Sequence, residues 1–251
     1  MIDESDAHTL MPDLRGRCAI VTGGTTGIGR ATAVLLASQG VKLFVCGRNP
    51  AHLDDALQRI GEVGEGSGIA VDLSVAKDVD RLFEAADRFL GRIDIAVINA
   101  AIPADALADA GECEARYQIG TDFTAYLACA QEAARRMDGG SDIIFIGSMS
   151  AVSKTPGSSL YVAAKAGIQG FVPAFRKELA EQDIKVGLIE PGFTGADFQY
   201  PDVPPDKQRE LIGQDRMLRA EDIAVAIHFM LSQPRRTAVS LMRVEPRRDH
   251  K

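Results

Sequence analysis

The sequence has little of what several classes of protein depend on. Its four cysteines have neither the C-x-x-C spacing of a metal or redox pair nor the pattern of a disulfide framework, which favours reduced thiols. Its four histidines lie scattered outside every motif, which argues against metal binding and histidine catalysis. No apolar run approaches the length that spans a bilayer, and the acidic start has no signal-peptide pattern. We therefore expect a cytoplasmic protein that binds no metal and no membrane.

An excess of basic residues is also missing. The formal net charge of -7 opposes binding to nucleic acid or to an anionic membrane, and it leaves a small molecule as the expected partner. At 251 residues, with 46% hydrophobic and 25% charged residues, the chain suits one soluble α/β domain. We expect a loose N-terminal arm over residues 1–16 and a single domain over residues 17–251, without internal repeats.

What the sequence does contain is a glycine-rich turn between a strand and a helix. The apolar run 18–21 precedes the turn, and a helical pattern follows from residue 30. A strand that ends in glycines and restarts as a helix leaves backbone N–H groups and the positive helix end facing outward, which suits a phosphate. The alternative is a glycine turn that binds nothing. The sequence of the turn is Thr22-Gly23-Gly24-Thr25-Thr26-Gly27-Ile28-Gly29.

Apolar runs and helical patterns alternate along the rest of the chain. Runs typical of buried strands cover 41–46, 69–71, 93–98, 143–146, 184–189 and 239–244, and helical patterns cover 51–60, 75–90, 112–137, 158–182 and 221–231. Asn49 is the expected cap of the second helix, with Pro50 at its first position. The connections are too long for hairpins, so we expect an α/β fold with a doubly wound parallel sheet of about seven strands and helices on both faces. Ligands bind such sheets beyond the carboxyl ends of the strands, and an irregular segment at about 192–218 is the expected substrate loop.

The segment after the second strand favours one nicotinamide cofactor over the other. Gly47 stands where a nicotinamide-binding fold usually has an acid for the ribose hydroxyl, and Arg48 follows it. An acid would repel a 2′-phosphate, whereas an arginine can pair with it. We therefore expect NADP(H) to be preferred, with NAD(H) possible. The alternative for Arg48 is a solvated surface side chain.

A phenol, an ammonium and a hydroxyl are spaced so that they can act together. Tyr161 and Lys165 are four residues apart and share one face of the helix that follows the fifth strand. A neighbouring positive charge favours the phenolate, which makes Tyr161 a plausible acid and base. Ser148, thirteen residues earlier at the end of that strand, could polarise a carbonyl, with Ser150 as the competing candidate. The tyrosine and lysine spacing alone is common by chance.

Three motifs occur in order: the glycine turn at 22–29, a serine thirteen residues before a tyrosine, and the Y-x-x-x-K pair of Tyr161 and Lys165. Together they resemble the short-chain dehydrogenase/reductase family, over about residues 17–244. The resemblance implies a Rossmann-type sheet and hydride transfer between a nicotinamide and an alcohol or carbonyl. It implies that the tyrosine is the acid and base, that the serine holds the substrate oxygen, and that Lys165 binds the nicotinamide ribose and lowers the pKa of Tyr161. It also implies a homo-oligomer, either a dimer or a tetramer, packed through the helices at 112–137 and 158–182.

The same resemblance assigns further cofactor contacts. Asp72 is similar to the residue that contacts adenine, Asn99-Ala100-Ala101 is similar to the family's N-N-A-G, and Pro191-Gly192 with Thr194 is similar to the segment that receives the carboxamide. The residues expected to bind the cofactor are Gly23, Thr25, Thr26, Gly27, Ile28, Gly29, Arg48, Asp72, Leu73, Asn99, Ala100, Tyr161, Lys165, Pro191, Gly192 and Thr194.

The chain departs from the family pattern at one catalytic position. Where the family usually has an asparagine that holds a water in a proton relay to the lysine, our placement puts Asp122, and asparagine occurs only at positions 49 and 99. A carboxylate there would stabilise the Lys165 ammonium and compete for the charge that activates Tyr161. We expect a working but slower relay.

The expected function is that of an NADP(H)-dependent alcohol dehydrogenase or ketone reductase. Ser148, Met149, Val152 and Phe193 are the expected substrate contacts, with Ile102 and the segment 198–205 completing a wall that suits a largely apolar carbonyl compound. The alternative is a nucleotide-binding regulator or partner subunit of the same fold, with little or no turnover.

Overall fold

Seven parallel strands form the main sheet in a computed structural model that describes residues 11–103, 106–195 and 203–248. The strands in chain order are β1 (Cys18–Val21), β2 (Lys42–Gly47), β3 (Gly66–Ala70), β4 (Ile95–Ile98), β5 (Asp142–Ile146), β6 (Lys185–Pro191), the short β7 (Thr194–Gly195) and β8 (Leu218–Arg219), and β9 (Leu241–Val244). Their order in the main sheet is β3-β2-β1-β4-β5-β6-β9, while β7 and β8 pair separately. The strand order reverses beside β1, which confirms the predicted doubly wound sheet.

Helices cover both faces of this sheet. They are α1 (Gly27–Ser38), α2 (Pro50–Gly61), α3 (Ala76–Leu90), α4 (Glu112–Ile119), α5 (Ala125–Arg136), α6 (Ser150–Ser153), α7 (Ser159–Glu178), α8 (Pro205–Gly213) and α9 (Ala220–Leu231). One apolar core lies between the sheet and α3, α5 and α7, and a second lies between the sheet and α1, α2 and α9. Successive residues of β1 alternate between the cores, since Ile20 packs in the first and Val21 in the second.

Local sequence signals account for where several elements begin and how they pack. The predicted cap of α2 is confirmed, because Asn49 Oδ1 accepts a hydrogen bond from the Ala51 N–H at 2.9 Å and Pro50 opens the helix. The helical pattern predicted over 75–90 is confirmed as α3, whose apolar face packs into the first core. The buried residues of that face are Val79, Leu82, Phe83, Ala86 and Leu90.

The structure corrects two of the predicted elements. The expected helix over 112–137 is interrupted, because a π-helical turn at Gly120–Thr124 separates α4 from α5. The segment expected to be irregular up to residue 218 contains α8, which begins at a proline, and β8, which pairs with β7. Proline suits the first turn of a helix, so the proline-rich composition predicts a boundary as readily as a loop. Residues 196–202 of this segment lie outside the described residues.

Two further differences come from close packing. β3 begins at Gly66, three residues before the strand predicted over 69–71. Glycine allows close approach there, since a Cβ at Gly68 would lie 2.5 Å from the Val45 carbonyl oxygen. Within the expected N-terminal arm, Leu14 is buried in the second core. Residues 1–10 of that arm lie outside the described residues.

Candidate active site

A cavity of about 1120 Å³ lies at the carboxyl ends of the parallel strands. Six neighbouring strands each contribute a lining residue that follows the strand, which is where doubly wound sheets bind their ligands. Of the residues predicted from the sequence, those that line the cavity are Gly23, Thr25, Thr26, Gly27, Ile28, Arg48, Asp72, Leu73, Asn99, Ala100, Ser148, Tyr161, Lys165, Pro191, Gly192 and Thr194. The structure therefore brings most of the predicted site together.

Five predicted residues do not line this cavity. Gly29 and Asp122 lie behind it, where they support lining residues, and Met149, Val152 and Phe193, predicted as substrate contacts, are absent from its wall. Val152 is instead exposed on α6. Besides Ser148, the expected substrate contacts that line the cavity are Ile102 and Val203, the latter from the segment 198–205. Most of the segment 198–205 lies outside the described residues.

The glycine turn is held in place by β4. Asn99 Nδ2 donates to the carbonyl oxygens of Thr22 at 3.0 Å and of Gly23 at 3.2 Å, and Thr22 Oγ1 accepts from the Asn99 N–H at 2.8 Å. A Cβ at Gly29 would lie 2.1 Å from the Gly23 carbonyl oxygen, so only glycine lets the helix pack this closely on the turn. Thr26, the N-cap of α1, makes no side-chain cap bond, which leaves the N-terminal N–H groups of α1 available to an anion.

Three side chains form a hydrogen-bonded chain at the β2 and β3 end of the cavity. Arg48 Nη1 donates to Tyr117 Oη at 2.6 Å, and Tyr117 Oη donates to Asp72 Oδ2 at 2.8 Å. Burial alone would raise the pKa of Asp72, but hydrogen bonds from Tyr117 and from the Ser74 N–H outweigh it and hold this pKa below its ordinary value. The sequence analysis did not identify Tyr117 as a site residue, because no motif marks it and Asp72 is 45 residues away along the chain.

Lys165 lies at the other end of the cavity and is only 1% exposed. Its Nζ donates to Tyr126 Oη at 2.7 Å and to the Ile146 carbonyl oxygen at 2.9 Å, and it lies 5.5 Å from the ring centroid of Tyr161. Burial lowers the pKa of Lys165 to about 8, and the negative charge of Asp122 opposes this shift. The lysine is therefore an ammonium at pH 7, next to the phenol that the sequence singles out.

Tyr126 is a second phenol that the sequence does not reveal as part of this site. Its side chain is 1% exposed, and its Oη lies 3.0 Å from the Asn99 carbonyl oxygen and 3.1 Å from that of Ile146, to either of which it can donate. The oxygen then keeps a lone pair for the Lys165 ammonium. Tyr126 thus ties the lysine to the ends of β4 and β5.

Ser148 lies two residues beyond the end of β5, in a segment held by backbone bonds to β6. The Gly147 N–H donates to the Ile189 carbonyl oxygen at 2.7 Å, and the Met149 N–H donates to that of Pro191 at 2.9 Å. Ser148 Oγ accepts from the Ser150 N–H at 3.1 Å. Both serines line the cavity, so both remain candidates for holding a substrate oxygen.

Asp122 lies in the π-helical turn with no solvent exposure. Its Oδ1 accepts from the Ile102 N–H at 2.8 Å, whereas Oδ2 and the nearby Gln118 amide nitrogen are buried without a well-aligned hydrogen bond. Burial raises the pKa of Asp122 to about 6, against the opposing charge of Lys165. No oxygen of Asp122 forms an ion pair with Lys165, so the carboxylate acts on the lysine through its charge and on the loop after β4 through its hydrogen bond.

Neither a metal cluster nor a membrane-spanning helix occurs in the described ranges. No group of three or more His, Cys, Asp or Glu side chains in them could hold a metal ion. No helix in the described part of the chain is both long enough and apolar enough to span a membrane.

Comparisons with known proteins agree with this geometry. The family model described as short chain dehydrogenase matches residues 17–205. The chain is 33% identical to the 3-oxoacyl-[acyl-carrier-protein] reductase of Homo sapiens, over 86% of this chain and 91% of the relative, and 31% identical to the protein of that name from Synechocystis sp., over 89% and 92%.

Solved structures show the same likeness in three dimensions. A short chain dehydrogenase from Burkholderia cenocepacia in complex with NADP superposes with a TM-score of 0.84 at 25% identity, over 94% of this chain and 98% of that one. A short-chain type dehydrogenase/reductase from Mycobacterium marinum gives a TM-score of 0.82 at 28% identity, over 93% and 96%. With the Rossmann-type sheet and the family model matched over most of its length, the chain belongs to the short-chain dehydrogenase/reductase family of NAD(P)-dependent oxidoreductases.

Proposed function

We propose that this protein is an NADP(H)-dependent oxidoreductase that interconverts an alcohol and a carbonyl compound, with Tyr161 as the acid and base. The observation that carries the proposal is the shared cavity, which is lined by Ser148, Tyr161 and Lys165, by the glycine turn, and by Arg48 and Asp72. Such a cavity suits a dinucleotide, with its diphosphate on the N-terminus of α1 and its reacting ring beside the phenol. The closely packed cradle at Gly23 and Gly29 supports this fit.

Two features of the cavity and one relative support a preference for NADP(H). Arg48 lines the cavity and can pair with a 2′-phosphate. A side chain at Gly47 has no room, because its Cβ would lie 2.3 Å from Thr25 Oγ1, and this excludes an acid for the ribose hydroxyl at that position. The Burkholderia relative was solved with NADP. Dissociation constants for NADPH and NADH, measured side by side on the wild type and on Arg48→Ala, test the preference; equal values for the wild type would refute it.

The chain's own residues supply proton transfer and charge. The nicotinamide supplies or accepts the hydride when it is bound. In the reductive direction, Tyr161 donates its phenolic proton to the carbonyl oxygen as negative charge develops there, and a serine hydroxyl donates a hydrogen bond to the same oxygen. The Lys165 ammonium, held by Tyr126 and the Ile146 carbonyl, favours the phenolate that Tyr161 becomes.

Tyr161→Phe keeps the ring and removes the proton, so turnover should fall by about a thousandfold, within the usual range for a lost acid–base group. NADPH oxidation should be followed with a panel of apolar ketones that includes a 3-oxoacyl thioester, since two relatives carry the name of a 3-oxoacyl reductase. Ser148→Ala and Ser150→Ala form a matched pair that decides which hydroxyl holds the substrate oxygen. Binding of NADPH without turnover across the panel would favour the alternative, a nucleotide-binding regulator or partner subunit.

We also propose that the protein is a homo-oligomer, either a dimer or a tetramer. Large apolar side chains are exposed on α9 and on the edge strand β9 beside it, at Val225, Phe229 and Leu241. The helices expected to form the interface, α4, α5 and α7, present no large exposed apolar side chain in the described part of the chain. Light scattering after gel filtration, on the wild type and on Phe229→Glu, tests the assembly; a monomeric wild type would refute it.

A further inference from the structure

We propose that Tyr117 positions Arg48 and thereby determines how well the site discriminates a 2′-phosphorylated adenosine from an unphosphorylated one. This inference rests on the proposed NADP(H) function, and it concerns a residue to which neither the sequence motifs nor the family resemblance gives a role. Tyr117 lies on α4, whereas Arg48 follows β2 and Asp72 follows β3. All three side chains line the same end of the cavity.

A hydrogen bond from its guanidinium to Tyr117 holds Arg48 at the cavity. The arginine side chain is exposed, so without a partner it would sample many rotamers and would lose that freedom on binding an anion. The bond from Nη1 to Tyr117 Oη is 2.6 Å long, and the guanidinium carbon lies 5.9 Å from the ring centroid. A guanidinium already in place binds a phosphate at lower cost than a mobile one.

Asp72 sets the orientation of the phenol. Tyr117 is half-buried, and its hydroxyl proton is committed to Asp72 Oδ2 at 2.8 Å. The lone pairs of the same oxygen are therefore left for Arg48. Asp72, whose Oδ1 also accepts from the Ser74 N–H at 3.0 Å, is itself fixed by the backbone. The carboxylate thus orients the phenol, and the phenol orients the arginine.

The guanidinium keeps its charge in this arrangement. Arg48 forms no direct ion pair with Asp72, because the neutral phenol stands between them. A direct pair would occupy the donors of the guanidinium, whereas the phenol takes up one N–H and leaves the other donors for a dianionic phosphate.

Tyr117→Phe separates this role from simple packing, because it keeps the ring and removes only the hydroxyl. The probes are adenosine 2′,5′-bisphosphate, which carries the 2′-phosphate, and 5′-AMP, which lacks it; neither contains nicotinamide. Isothermal titration should show the Kd for the bisphosphate rising about fivefold in Tyr117→Phe, the size expected for one lost hydrogen bond, while the Kd for 5′-AMP changes by less than about twofold.

A double-mutant cycle with Arg48→Ala completes the test. If Tyr117 acts through Arg48, adding Tyr117→Phe to Arg48→Ala should weaken bisphosphate binding no further. Equal losses for both nucleotides in Tyr117→Phe, or an undiminished loss in the double variant, would overturn the inference and leave Tyr117 as a wall of the adenosine pocket. So would unchanged binding of both nucleotides. If Arg48→Ala itself leaves the bisphosphate Kd unchanged, the proposed NADP(H) preference fails instead, which distinguishes the two failures.

Discussion

Replacing Asp122 by asparagine should change how the stability of the protein depends on pH. Asp122 has no solvent exposure, and burial raises its pKa from 3.8 to about 6. A carboxyl whose folded-state pKa is raised contributes stability that is fully present below the unfolded-state pKa and is lost as the pH rises through the folded-state value. At about 1.4 kcal/mol per pKa unit the whole effect is about 3 kcal/mol, and part of it is already lost at pH 4. The wild type should therefore lose about 2.5 kcal/mol of unfolding free energy between pH 4 and pH 7 through this one group.

The amide introduced by Asp122→Asn does not titrate, and its side-chain oxygen can still accept from the Ile102 N–H. Urea unfolding of the wild type and of Asp122→Asn should therefore show the variant gaining about 2.5 kcal/mol of stability over the wild type as the pH rises from 4 to 7. Asp80→Asn, at an exposed position of α3, is the matched control and should track the wild type. A difference between Asp122→Asn and the wild type that does not vary with pH would refute the reasoning.

The same variant tests the catalytic placement of Asp122. Removing the carboxylate removes the negative charge that competes with Tyr161 for the Lys165 ammonium. Carbonyl reduction by Asp122→Asn should therefore be as fast as in the wild type or faster, when kcat is measured with saturating NADPH. A loss of activity in a folded variant would show that the carboxylate itself is needed.

Three further substitutions probe two other residues of the site or its support and one buried carboxylate of β6. Tyr126→Phe removes a hydrogen-bond acceptor from the Lys165 ammonium, a loss of about 1.5 kcal/mol, and should lower the pKa of Lys165 further. The alkaline limb of the kcat profile should then move to lower pH, and an unmoved limb would count against this role of Tyr126. Gly29→Ala would bring a Cβ within 2.1 Å of the Gly23 carbonyl oxygen, which would push α1 away from the glycine turn. NADPH binding should therefore weaken by about tenfold or more, and unchanged binding would show that this close packing is not needed. Glu190, a carboxylate with no solvent exposure, accepts a charge-assisted hydrogen bond from Arg243 Nε at 2.8 Å. Glu190→Gln weakens this bond and should lower the unfolding free energy by about 2 kcal/mol, so a urea midpoint equal to that of the wild type would exclude this contribution.

The sequence by itself determined the features that depend on residues close together in the chain: the glycine turn, the cap of α2, the shared face of α7 and the type of sheet. The glycine turn follows from the residues between a strand and a helix, and the cap of α2 follows from Asn49 and Pro50. The placement of Tyr161 and Lys165 on one face of α7 follows from the helical repeat. The alternation of apolar runs with helical patterns determined the doubly wound sheet, because long connections leave parallel strands as the result.

Only the tertiary structure determined which other side chains contact the predicted site residues and how deeply those residues are buried. Tyr126 meets Lys165 across 39 residues of chain, and Tyr117 meets Arg48 across 69, so no local spacing marks either tyrosine as part of the site. The raised pKa of Asp122 depends on complete burial, which follows from how the π-helical turn packs against the loop after β4. The physical reason is the same in each case: side-chain type and spacing express local geometry, whereas contacts and desolvation arise only when distant elements pack together.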